Sequence, residues 1–161
     1  MKALVSILVA AGTFVSAPAF AQASNTSPLL GTWAVDVSRL PVPPEARPKS
    51  VTFTFSDVGG GKWMTEVEIL GGDGSERHMR STYALDGTPA PIQGDTAEAD
   101  VGAVKLPAPN VMVLELGKNG GPASTRVYTV APSGKTMIET AAYPGNDGKP
   151  SMRTNYFNRV R

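Results

Sequence analysis

Apolar and polar residues alternate along most of this chain with the period of a strand. In "SVTFTFS", residues 50–56, Val51, Phe53 and Phe55 share one face and Thr52 and Thr54 the other. "KWMTEVEIL" sets Trp63, Val67 and Ile69 against Met64, Glu66 and Glu68, and "RHMRSTYAL" sets Met79, Tyr83 and Leu85 against His78, Arg80 and Thr82. Upstream, Trp33, Val35 and Val37 oppose Ala34, Asp36 and Ser38. The pattern predicts strands over 32–37, 50–58, 63–70, 77–85, 101–106, 111–117, 125–131, 136–143 and 152–160, with a short extra piece near 91–94.

Turn chemistry separates these runs: "GGGK", "GGDGS", "LDGTP", "PAPN", "KNGGP", "APSGK" and "PGNDGKP". Asp-Gly and Asn-Gly reach positive φ cheaply, as tight hairpins require. Consecutive strands joined this closely are antiparallel neighbours, so the chain is a meander. Strands with one wet face and no covering helix must close on themselves, because flat edges invite aggregation. "VMVLELG" departs from the pattern, being apolar on both faces up to Glu115, so Val111 and Val113 are expected under a loop or a partner.

Composition adds a compartment. "MKALVSILVAAGTFVSAPAFAQA" has Lys2, an apolar run from Ala3 to Val15 and a small-residue site at Ala19-Phe20-Ala21. That is the anatomy of a signal peptide over 1–21, with the mature chain starting near Gln22 as one domain over 22–161. A membrane span needs about 20 apolar residues, and Pro18 interrupts this run, so no stable membrane anchor is expected. A periplasmic or secreted protein follows. It has no cysteine, which excludes disulfides and thiolate metal sites. Without Lys2 the chain carries 14 basic and 14 acidic residues, scattered singly, and no basic face for nucleic acid stands out.

"LLGTWAVD" at the first strand resembles the lipocalin signature, a Gly-x-Trp motif where the chain enters the barrel, matched here by Gly31 and Trp33. The mature chain is similar to a group of exported bacterial lipocalin-like proteins with a Gly-Thr-Trp opening and a Pro-Lys-Ser before strand two, here Pro48-Lys49-Ser50. The Thr-Asp-Tyr motif of central lipocalin hairpins and the long C-terminal helix are missing. The resemblance implies an all-β fold, a single antiparallel up-and-down meander closed into a lipocalin-like barrel of 8–10 strands. It also implies that Trp33 packs across the barrel base under a basic residue of the last strand, Arg159, with Arg161 and Arg153 as alternatives. The loop over 38–50, stiffened by Pro41, Pro43, Pro44 and Pro48, then hangs over the mouth as a lid or serves as a plain connection.

Candidate chemistry is thin. His78, the single histidine, falls on the polar face beside Arg77 and Arg80, and no Gly-x-Ser-x-Gly elbow exists. Glu66 and Glu68 share a wet face where neither gains the burial that general acid catalysis needs. Asp95, Glu98 and Asp100 cluster in "GDTAEAD" without the register of a calcium loop. "SGKT" at 133–136 lacks the first glycine of a phosphate loop. No catalytic residue, metal or cofactor is assigned.

The aromatics remain. Phe53, Phe55, Trp63, Tyr83, Tyr128 and Tyr156 are the candidate lining of a pocket for a small, largely apolar molecule, or else plain core. Thr65, Ser81, Thr154 and Asn158 share their parity, and polar groups facing inward favour a wet or ligand-filled interior. The expected function is therefore non-catalytic binding of such a molecule. A filled barrel acting as an interaction or envelope-protective module is the alternative, with Val111 and Val113 as its surface. A hydrolase or isomerase ranks third, and the oligomeric state stays open.

Overall fold

The computed structural model describes residues 27–145 and 149–160. The leader assigned to 1–21 and the alternative Arg161 lie outside the described residues. Eleven strands follow in chain order: β1 (Gly31–Val35), β2 (Ser50–Gly59), β3 (Lys62–Leu70), β4 (Glu76–Tyr83), β5 (Ala90–Pro91), β6 (Gln93–Gly94), β7 (Val101–Ala108), β8 (Val111–Lys118), β9 (Gly121–Val130), β10 (Thr136–Tyr143) and β11 (Ser151–Arg159). They form one sheet in the order β5-β7-β8-β9-β10-β11-β1-β2-β3-β4-β6, curled into a nearly closed barrel.

Every ladder is antiparallel. Nine strands have five residues or more, and that odd number has a consequence. Around an antiparallel sheet direction alternates, so the terminal long strands β4 and β7 run the same way and cannot pair as the others do. The segment between them solves this. Ala90 and Pro91 pair with Gly102 and Val101 of β7, and two residues on, Gln93 and Gly94 pair with Arg80 and Met79 of β4. One short stretch, antiparallel to both edges, seals the gap. The expected count of 8–10 strands thus becomes eleven, because the single piece near 91–94 divides at Ile92 between the two edges.

Two further contacts reinforce the seam. Ser81 donates to the carbonyl of Pro91 at 2.8 Å. The Tyr83 ring packs closely against the backbone of β7, where a Cβ added at Gly102 would stand 2.6 Å from the phenolic oxygen.

Inside, the alternation read from the sequence holds. Phe53, Phe55, Trp63 and Tyr83 are buried, and β8 to β11 contribute Met112, Leu114, Leu116, Tyr128, Val130, Met137 and Phe157. Phe53, Phe55, Tyr128 and Phe157 form a ring cluster with centroids between 5.2 and 6.4 Å apart, tilted or edge-on as ring quadrupoles prefer. "VMVLELG" resolves in favour of Met112, Leu114 and Leu116 as the inward set. Val111 and Val113 sit on the outer face, half-buried rather than exposed.

Candidate functional site: the barrel cavity

Trp33 closes one end. It is fully buried, and its indole N–H donates to the carbonyl of Leu29 at 2.8 Å. Gly31 opens its strand at φ 117°, a region that side chains rarely enter. Arg159, opposite Trp33 in the β1–β11 register, holds its guanidinium 4.1 Å from the indole ring centre. The same guanidinium donates to the carbonyls of Gly134 at 2.6 Å, Leu30 at 2.8 Å and Pro28. One cation therefore ties the first strand, the β9–β10 hairpin and the last strand together under the tryptophan.

The other end is roofed by the proline-rich segment. Two 3-10 turns, Val37–Arg39 and Pro44–Ala46, shape it, and Leu40, Pro41, Val42, Ala46 and Pro48 line the space beneath. The Arg39 guanidinium stacks 3.2 Å from the ring centre of Tyr156 on the outside of the barrel and pins the segment's start. Between roof and base lies a cavity of about 380 Å³. Val35, Val51, Val67, Ile69, Met79 and Leu114 make much of its wall.

One flank is polar. Glu139 is 1% exposed and sits in register between Tyr128 on β9 and Asn155 on β11. Its Oε1 accepts from the Tyr128 hydroxyl at 2.9 Å and its Oε2 from the Asn155 Nδ2 at 2.5 Å. Arg126, one inward position along β9, places Nη1 3.3 Å from Glu139 and Nη2 against Glu98, while its Nε donates to Ser124 at 3.2 Å. Burial works against the Arg126 charge. The facing groups, Tyr128 when ionised, Glu139 and Glu98, outweigh it and hold the guanidinium above the ordinary arginine range. Burial first, then the Glu139 carboxylate, pushes the Tyr128 phenol well above its usual value. Burial also raises Tyr83 and Tyr143.

The aromatics named from the sequence separate into three groups. Phe53, Tyr83 and Tyr128 line the cavity. Phe55 and Trp63 are buried in the packed core and do not line it. Tyr156 lies on the outer face under Arg39, because β11 turns Asn155 and Phe157 inward. Thr154 and Asn158 go outward with it, a correction to their expected parity, whereas Thr65 and Ser81 line the cavity.

The acidic candidates do not converge. Glu66 and Glu68 stay on the outer face with His78, which lies 3.9 Å from Glu68 and 3.6 Å from Glu76. In the loop after β6, Asp95 faces Arg77 at 3.8 Å, Glu98 takes Arg126, and Asp100 takes Lys118 at 3.8 Å. Arg126, Glu139 and Asn155 had no place in the expected site. The signal for them was parity, since each shares its strand face with a buried apolar residue: Val130, Met137 and Phe157.

Fold and site together define a small β-barrel with an interior cavity whose largely apolar wall also carries polar and charged side chains from β3, β4, the loop after β6 and β9 to β11. No protein-family model and no curated protein matches this chain. Among solved structures it is similar to EF1p2_mFAP2b bound to DFHBI, at TM-score 0.43 and 11% identity, covering 84% of this chain and 98% of that one. It is also similar to a mutant of the fluorescent protein UnaG, at TM-score 0.47 and 14% identity over 81% and 95% of the two chains. A third is the siderocalin Ex-FABP, described as functioning through dual ligand specificities, at TM-score 0.35 and 13% identity over 83% and 75%. The fold itself rests on the strand ladders described above, independently of these likenesses.

Proposed function

We propose that this chain is an exported, non-catalytic binder of one small, largely apolar molecule, held in the barrel cavity under the proline-rich roof. The observation that carries the reading is the cavity, about 380 Å³, with a largely apolar wall into which a minority of polar and charged side chains are set. Small-molecule sites have this character and fall in this size range. A solid interior, as a filled interaction module needs, is not what the strands enclose. A carboxylate pair suited to hydrolysis is not supported either, since Glu139 is buried and fully engaged while the Glu98 side chain is half exposed. The leader over 1–21 supports export, with cleavage near Gln22.

Native mass spectrometry of the full chain, purified without denaturation, tests the reading. A small-molecule mass that leaves on unfolding is expected, as is a fluorescence gain when the neutral dye Nile red is titrated. Ile69→Trp, which fills the cavity from β3, should weaken Nile red binding by about tenfold or more. A clean apo mass together with no Nile red binding would overturn the proposal.

A further inference from the structure

The charges set into the cavity wall say where a bound molecule carries its own. This step rests on the binding reading above. Four arginines line the cavity: Arg77 and Arg80 from β4, Arg126 from β9 and Arg153 from β11. Three carboxylates face them, Asp95, Glu98 and Glu139, so the wall holds one positive charge in excess at neutral pH.

The pairings locate that excess. Arg126 is buried and held twice, with Nη1 3.3 Å from Glu139 and Nη2 against Glu98, while its Nε donates to Ser124. An incoming anion would have to displace a carboxylate already in place there. Arg77 faces Asp95 at 3.8 Å, and Arg80 donates from Nε to the Gln93 side chain at 3.1 Å. Arg153 differs. Its guanidinium lies 4.7 Å from the ring centre of Tyr143 and has no ion pair or hydrogen bond among the described residues.

The strand then fixes its height in the barrel. Arg159 stands at the Trp33 end of β11, and Arg153 comes six residues earlier, about 20 Å along the strand and at the roofed end. It shares the inward face with Asn155 and Phe157, yet it is exposed. An anion meeting it at the rim leaves both charges partly in water, which avoids most of the desolvation cost of a buried pair. Val35, Val51, Val67 and Ile69 of β1 to β3 supply the apolar wall beside it. We infer that the cavity takes an amphipathic monoanion, an apolar body lying against β1 to β3 with its one anionic group outermost, on Arg153. Arg77 and Arg80, four strands round the barrel on β4, add to the positive field at the opening without holding the ligand.

Two matched probes test this on the unaltered chain at neutral pH and low salt: 2-naphthoate and its uncharged methyl ester, titrated by calorimetry. The naphthoate should bind about tenfold more tightly, the effect of one charge-assisted hydrogen bond. In Arg153→Gln that ratio should fall to about one, with binding of the ester and of Nile red kept. Arg77→Gln should weaken the naphthoate by about twofold at most. An ester that binds the unaltered chain as tightly as the naphthoate, or more tightly, would overturn the inference and leave the binding reading intact. So would a naphthoate preference that survives Arg153→Gln, or failure of both naphthyl probes where Nile red still binds. Failure of all three would overturn both readings. The unaltered chain decides the sign of the preference even where a variant does not fold.

Discussion

Trp33 and Tyr128 show how much of this barrel depends on single side chains. Trp33 is fully buried, satisfied at its indole nitrogen and capped by Arg159. Trp33→Ala should destabilise the fold by roughly 3–5 kcal/mol, read as a lower midpoint in denaturant unfolding. Unchanged stability would remove the tryptophan from its role as the barrel's plug. Tyr128 gives a pH signature. Its folded-state pKa is raised by burial and by Glu139, so the neutral phenol stabilises the fold fully below the unfolded value near pH 10. That contribution is lost as pH rises above about 10 toward the folded value. Tyr128→Phe should cost about 1–3 kcal/mol at neutral pH, through the donor withdrawn from Glu139. It should also make stability fall less steeply above pH 10. The slope shrinks without vanishing, because Tyr83 and Tyr143 are raised as well. Equal alkaline slopes in the two proteins, followed by circular dichroism, would count against a buried Tyr128.

At the scale of elements, the informative place is the seam between β4 and β7. Gly102 is there because Tyr83 presses on its backbone. Gly102→Val pushes the ring away and removes the close approach of the two edges. A loss of about 1–3 kcal/mol is expected, as for other overpacked sites, together with a change in Tyr83 fluorescence or chemical shift. The long strands were legible in the sequence for a plain reason: one dry face stamps a period of two on each, and Gly, Asp-Gly and Asn-Gly end them. The seam was only half legible. Two-residue strands carry no periodicity, and the pairing of Ala90–Pro91 with one edge and Gln93–Gly94 with the other depends on where those edges arrive. Tyr156 failed for a related cause. Tyr156 and Phe157 are adjacent aromatics, one of which must point out, and the pairing of Phe157 with Val35 decides which.

For the molecule as a whole, stability should be uneven. The ladders from β2 to β4 and from β7 to β11 run for six or more residue pairs, β1 pairs by three and four, and β5 and β6 hold the closing edges by two residues each. Local opening draws on regions with few hydrogen bonds and little burial, so amides of 90–95 should exchange with solvent well before those of β9 and β10. Hydrogen exchange followed by mass spectrometry checks this, and uniform protection around the barrel would show that the seam is no weaker than the rest. If the cavity fills from that side or through the roof over 40–48, a bound probe should slow exchange at whichever segment gates it.

The alternation of Val, Thr, Phe and Trp with polar residues, punctuated by glycine and proline turns, determined by itself that this chain is a meander of antiparallel strands with one dry side. Those features are local, or repeat along the chain, so they can be read without knowing what meets what. Only the tertiary structure decided that the interior is hollow, that Arg126, Glu139, Tyr128 and Asn155 meet on one flank, and that Asn155 Oδ1 is left without a donor. Those facts depend on the register between β9, β10 and β11 and on barrel closure. Register is a property of pairs of strands, and a cavity is a property of all of them together.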